Sequence, residues 1–228
     1  MLIRNNPQDK TRLSGSSHAE EFSWRESEDI VSPIPRPLPD FLSGIQLASQ
    51  DSLPAWESDE SLLVFLEESC MKQMHAHAHH DILREQAGIL SGQAYVDGSR
   101  HYVNITSACP ADTVSDATHF RFHQASWENI WQQLKDGDNI LGWYHTHPGL
   151  GVFFSPTDLR TQQLHFRLSW SVAVVIDPTT RESGIFSGSR GTKVRETSCF
   201  SYLRADVTDA KDRTSSNPLA NRGPLSLS

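Results

Sequence analysis

Between Gly142 and Leu159 the chain reads GWYHTHPGLGVFFSPTDL, which sets His145, His147, Pro148, Ser155 and Asp158 in the order H-x-H-P-x6-S-x2-D. In an extended segment, side chains two residues apart project to one face, so His145 and His147 can converge on a single ion at the end of a strand. Pro148 then stops the strand. Ser155-Pro156-Thr157-Asp158 reads as a helix start, with a hydroxyl cap, a proline at the first helical position and an acid where the macrodipole favours it. Two imidazoles and one carboxylate make the three-ligand set of a catalytic zinc site, with a fourth tetrahedral position left for water. Taken separately, the helix start is only a cap and the histidines are only polar residues. Their joint spacing would arise by chance, at this chain's residue frequencies, with a probability on the order of 10⁻⁴.

Water at such a site needs a proton acceptor, and a carboxylate is the usual one. Glu85 is the candidate, because it opens EQAGILSG and leads directly into a strand of small residues. With these residues in hand, the sequence resembles the JAMM/MPN (JAB/MPN) zinc metalloproteases. Their pattern pairs a Glu in an E-x-x-G-(I/L/F)-(L/M)-x-G strand with a downstream H-x-H-P-x6-S-x2-D. Glu85, Gly88, Ile89, Leu90 and Gly92 match the first part, and His145, His147, Pro148, Ser155 and Asp158 the second. The resemblance runs from about Glu60 to Arg190, without departure at the catalytic positions.

That resemblance implies an isopeptidase that removes ubiquitin or a ubiquitin-like protein from a lysine, or trims its C-terminal tail. It implies Zn²⁺ held by His145, His147 and Asp158, Glu85 as general base and then proton donor to the departing amine, and Ser155 as hydrogen-bond donor to the oxyanion. The compact connections look more like stand-alone bacterial members, which implies E1-like and E2-like partners in a conjugation system, some of them antiviral. Two alternatives stay open. One is a catalytically silent MPN scaffold, against which the presence of Glu85 and all three ligands argues. The other is a JAMM-type peptidase that trims a sulfur-carrier precursor or a cell-wall peptide.

The elements that must carry these residues alternate between the two periodicities. Glu60 to His80 reads as a helix, with Leu62, Leu63, Phe65, Leu66 and Cys70 at helical spacing. Ala87–Val96 and Tyr102–Ser107 read as a hairpin around Asp97, Gly98 and Ser99. A strand from His119 to Phe122 precedes a helix from Ser126 to Leu134, whose Trp127, Ile130, Trp131 and Leu134 share a face. Ile140–Thr146 is a strand, Pro156–Leu168 a helix, Val172–Ile176 a strand, and Glu182–Phe186 its return after the Asp177-Pro178 turn. The expected fold is α/β, a mixed and mostly antiparallel sheet flanked by helices (MPN/JAMM, cytidine-deaminase-like). The catalytic domain is expected over residues 58–203. Residues 1–57 are expected as an extended, largely disordered segment, with the prolines of Ser32–Asp40 forbidding helix, and 204–228 as a flexible tail.

Composition bounds the class of function. The 228 residues are 37% hydrophobic and 21% charged, as in a globular chain. The net charge of -8 disfavours a nucleic-acid partner. The first 60 residues hold 5 basic against 11 acidic side chains, so the acidity belongs mostly to the leading segment. Cys70, Cys109 and Cys199 lie far apart, which suits idle thiols in a reducing, cytoplasmic compartment. No stretch approaches a membrane span and MLIRNNPQDK lacks an apolar signal core, so neither membrane nor secretion is expected. His75 and His79 in MHAHAHHD could form a second metal site, although a solvated helix end is the plainer reading.

Overall fold

Alternating apolar runs and turn residues build a single large sheet in this computed structural model, which describes residues 32–48, 62–111, 113–115, 120–122 and 124–204. The elements in chain order are β1 (Ile34–Pro35), α1 (Leu38–Leu42), β2 (Ile45–Leu47), β3 (Leu63–Glu67), α2 (Glu68–Ala78), β4 (Ala87–Asp97) and β5 (Arg100–Ala111). They continue with β6 (Thr113–Ser115), β7 (Phe120–Phe122), α3 (Gln124–Gln133), β8 (Asn139–Thr146), α4 (Pro156–His165), β9 (Val172–Asp177), β10 (Glu182–Ser187), β11 (Thr192–Lys193) and β12 (Cys199–Arg204). The sheet order is β11-β10-β9-β8-β4-β5-β3-β12-β2, with β1 beside β4 and β6-β7 a separate ribbon. It is mixed: β8-β9, β3-β5, β12-β3 and β1-β4 are parallel and the other pairs antiparallel.

Strand alternation sorts the core onto two faces. Leu90, Val103, Ile105, Tyr144, Val172, Val174 and Ile176 meet Cys70, Met74 and Ala78 of α2 on one side. Ile89, Trp143, Ala173, Val175 and Phe186 meet Ile130 of α3 and Phe166 after α4 on the other. The helices thus clamp β8 from both faces, and β8 is the strand that ends in the His-x-His pair. Trp131 packs against the second cluster, while the Trp127 side chain lies outside the described residues.

Gly88 lets β4 run close to its neighbour, since a Cβ there would collide with the Tyr144 ring and the Cys109 carbonyl. At Gly92 the β4-β5 register slips at a bulge, φ is 153°, and a side chain would strike the Asn104 carbonyl. These contacts give a steric reason for both glycines of the E-x-x-G-x-x-x-G stretch.

The expected helix from Glu60 to His80 is replaced by strand β3 followed by α2. A short continuous apolar run fits a buried strand as well as a helix, and Leu63-Val64-Phe65-Leu66 is buried on both faces between β5 and β12. The Ser32–Asp40 stretch, read as an extended arm closed to helix, forms β1 and then the start of α1. Its prolines are tolerated because Pro37 caps the helix and Pro39 falls in the first turn, where backbone N–H groups have no partner to lose. Leu38 and Phe41 of α1 join Leu63, Phe65, Tyr95, Tyr102, Phe200 and Tyr202 in a third cluster. β12, also unforeseen, supplies two of those aromatics. Residues 1–31, 49–61 and 205–228 lie outside the described residues, and with them most of the expected mobile termini. Among the described residues, no helix is long and apolar enough to cross a membrane.

Candidate metal centre

His145 and His147 leave the sheet where β8 ends, and the backbone N–H of His147 donates to Ile176 O of β9 at 2.9 Å. Both rings are buried, at 2% and 3% exposure. The third member arrives from the start of α4 through a reciprocal cap. Ser155 Oγ accepts from the Asp158 N–H at 3.1 Å, and Asp158 Oδ2 accepts from the Ser155 N–H at 2.7 Å. The same carboxylate faces both rings, with His145 Nε2 3.1 Å from Oδ1 and His147 Nε2 3.5 Å from Oδ2. The two Nε2 atoms stand 3.2 Å apart.

These separations allow a test of fit. Donors bonded to a tetrahedral ion at about 2.0–2.2 Å stand about 3.3–3.6 Å from one another. The 3.2 Å between the two imidazole nitrogens lies close to that spacing, and the Asp158 carboxylate flanks both, with Oδ1 3.1 Å from His145 and Oδ2 3.5 Å from His147. Two imidazole nitrogens and a carboxylate oxygen, grouped within 4.8 Å of one another, are also the borderline ligands that Zn²⁺ takes. Among the described residues, this is the one group of three or more such side chains with converging ligand atoms. Burial disfavours a charged His147, yet the hydrogen bond and charge of Asp158, and then the charge of Glu85, outweigh it and raise the ring's pKa. Burial likewise works against the Asp158 carboxylate, but the bonds from His145 and His147 hold it far below the usual carboxylate range.

Glu85 is exposed and precedes β4 by two residues. Because Ala87 pairs with His145 in the antiparallel β4-β8 register, Glu85 enters the sheet on the His147 side. Two bonds fix this approach: Gln86 N donates to Thr146 Oγ1 at 2.8 Å, and Thr146 N to Gln86 O at 2.9 Å. The fold therefore groups His145, His147 and Asp158, with Ser155 capping the same helix start, and brings the Glu85 backbone to the end of β8.

Further residues contact this group. Trp143, two residues earlier on the same face of β8, lies face to face with His145, ring centroids 4.4 Å apart. Phe153 sits 4.6 Å from the His147 ring and is half exposed, whereas Val152 and Phe154 pack inward. Asp177, read only as a turn residue, accepts from the Gly149 and Gly151 N–H groups at 3.0 and 2.9 Å and so ties down the loop after His147. Gln162 accepts from Trp143 Nε1 at 2.8 Å. A helical count from Asp158 puts Gln162 on the same face, which is the one signal that could have found it. The His75–His80 tract does not form a three-ligand group: His79 Nδ1 bonds the His75 carbonyl at 2.7 Å, and His77 Nδ1 meets the Tyr144 hydroxyl at 2.9 Å. His165 packs edge-on to Phe166.

Comparison with known proteins agrees with this geometry. A family model described as prokaryotic homologs of the JAB domain matches residues 67–185. The chain is 29% identical over 128 residues to the 26S proteasome regulatory subunit rpn11 of Schizosaccharomyces pombe, covering 55% of this chain and 42% of that protein. It is 28% identical over 128 residues to the ubiquitin carboxyl-terminal hydrolase RPN11 of Saccharomyces cerevisiae, with the same 55% and 42% shares. A 100-residue stretch is 34% identical to the NAD(+) hydrolase TcpA of Theionarchaea archaeon, covering 43% of this chain and 29% of that one. The chain thus spans about two-fifths or less of the length of these relatives.

Proposed function

The chain belongs to the family of prokaryotic JAB-domain homologues, and from that premise we propose that it is a zinc-dependent isopeptidase acting on a ubiquitin-like modifier. The observation that carries this reading is the grouping of His145 Nε2 and His147 Nε2, 3.2 Å apart, with the Asp158 carboxylate against both rings, while the β4-β8 register brings the exposed Glu85 to the same strand end. The similarity to a ubiquitin carboxyl-terminal hydrolase supports the substrate class.

Bound by these three side chains, Zn²⁺ supplies Lewis acidity toward a carbonyl oxygen and makes water more acidic. The chain's own residues do the rest. Glu85 takes a proton from the attacking water and returns it to the lysine amine as the amide C–N bond breaks, leaving a carboxylic acid and a free amine. The Ser155 oxygen already accepts from the Asp158 N–H, so its hydroxyl hydrogen remains to donate to the carbonyl oxygen as negative charge builds there. Phe153 beside His147, with Leu150 and Leu83 exposed on the flanking loops, offers apolar walls to an extended tail. A tail ending in two glycines suits a buried group of ligands, because without Cβ atoms its backbone can approach closely. E1-like and E2-like proteins that load the same modifier are the matching partners.

The test is metal content together with cleavage. The purified protein should carry zinc and cut fusions or lysine conjugates drawn from a panel of Gly-Gly-tailed proteins, with mass spectrometry locating the cut after the second glycine. Stoichiometric zinc without cleavage of any member would favour a silent scaffold. Cleavage confined to a sulfur-carrier precursor would move the substrate class.

A further inference from the structure

An imidazole's lone pair lies in the plane of its ring, so whatever sets that plane aims the nitrogen at a metal. The His145 ring lies on the Trp143 indole with the two planes only 12° apart. The indole is in turn sandwiched against Phe166, at 6.1 Å and 11°. Stacking leaves a flat ring free to turn in its own plane, and a bond at the indole nitrogen restrains that motion: Trp143 Nε1 donates to Gln162 Oε1 at 2.8 Å.

The amide of Gln162 is itself locked. It is fully buried, and its Nε2 donates to Phe166 O at 2.9 Å and to Gly188 O at 3.3 Å. Both neighbours on that side are acceptors and the neighbour on the other is a donor, so one orientation of the amide satisfies all three. Two backbone carbonyls therefore orient an amide, the amide an indole, and the indole an imidazole. Gln162 also stands one helical turn beyond Asp158, so α4 supplies one candidate ligand and steers another. An aromatic ring under a strand histidine is ordinarily packing, and packing alone would be met by an apolar side chain at position 162. A buried amide is costly unless its hydrogen bonds are made, and here its oxygen and its nitrogen are both engaged.

We propose that Gln162 and Trp143 are positioning residues that fix the plane of the His145 ring, and with it the strength and symmetry of metal binding. This rests on the metal-site reading of His145, His147 and Asp158. The experiment is Co²⁺ titration of the metal-free full chain, read by its visible ligand-field bands, with cooperative thermal unfolding as the check on folding. Gln162→Met removes the acceptor. Trp143→Phe removes the indole donor but leaves both carbonyl bonds of Gln162, so a role limited to tying α4 to Gly188 would not be disturbed by it. Each should weaken Co²⁺ binding roughly 10- to 100-fold and shift the bands. If either variant, once folded, binds within about threefold of the parent with unchanged bands, the proposal is overturned. Should Gln162→Met not fold, Trp143→Phe decides alone. A parent chain that takes up no Co²⁺ overturns the metal reading itself, whereas a binding parent with indifferent variants overturns only the positioning role.

Discussion

Glu85 and Asp158 are both acids near the end of β8, but their surroundings differ, and so do the roles proposed for them. Asp158 is buried, accepts from the Ser155 N–H and faces both imidazoles, which suits the proposed role of ligand. Glu85 is exposed, and its charge acts on His147, which suits the proposed role of base. Glu85→Gln should therefore retain metal and lose turnover by about 10² or more, whereas Asp158→Ala should lose the metal. Metal analysis of both variants beside a cleavage assay separates the two roles, and undiminished turnover in Glu85→Gln would remove it as the base. A pH dependence belongs to the same residues. The His147 pKa is raised, so below that pKa a metal must displace a proton from the ring. Apparent affinity should then fall as the pH drops, by about tenfold per unit for each proton displaced, and stay level above it. Co²⁺ titrations across the pH range measure the slope.

Two elements meet at the site, and each is stopped by a device that also serves it. The cap that starts α4 uses Asp158 twice, once to satisfy the Ser155 N–H and once to face the imidazoles. On the other side, Asp177 at the end of β9 holds the loop between His147 and Phe153. The Gly149 N–H, together with those of Thr179, Gly151 and Thr180, outweighs burial and pulls the Asp177 carboxyl down to about 2. Because the pKa is depressed, the tether is whole above the ordinary carboxylate range and is lost as the pH falls through about 2. A ¹³C titration of that carboxyl should find its midpoint near there. In Asp177→Asn, one of the two acceptor positions facing Gly149 and Gly151 becomes an N–H₂ group opposite another donor. Amide hydrogen exchange of residues 149–151 should accelerate at neutral pH while the β8-β9 amides stay protected. Equal exchange in the variant and its parent would show that the loop needs no tether.

The whole sheet is anchored at its far end by residues that no site motif announces. Phe41 packs against Phe65 at 4.8 Å and Tyr102 at 5.4 Å, and is 3% exposed. Phe41→Ala should cost about 3–5 kcal/mol of stability in chemical denaturation. Metal affinity should not change, because even Tyr95, the partner of Phe41 on the strand next to β8, lies at the other end of β4 from Ala87, which pairs with His145, some eight residues away at roughly 3.3 Å each. Weakened metal binding in the folded variant would mean that the two ends are coupled. Most of the site was legible in the chain because its spacings are local. Two residues along a strand and three along a helix start are periods of the backbone itself, so His145, His147, Ser155 and Asp158 could be placed without knowing the fold. The hairpin of β4 and β5 and the strands β8, β9 and β10 were legible for the same reason, each being a periodic run between turn residues. What pairing alone could decide was different in kind. Leu63-Val64-Phe65-Leu66 is a strand because β5 and β12 lie on either side of it, and Leu38–Leu42 is ordered because distant aromatics cover it. Gln162 and Asp177 matter through partners 19 and 28 residues away. Contacts across such separations leave no period in the sequence, so only the packed chain could bring them to the candidate site.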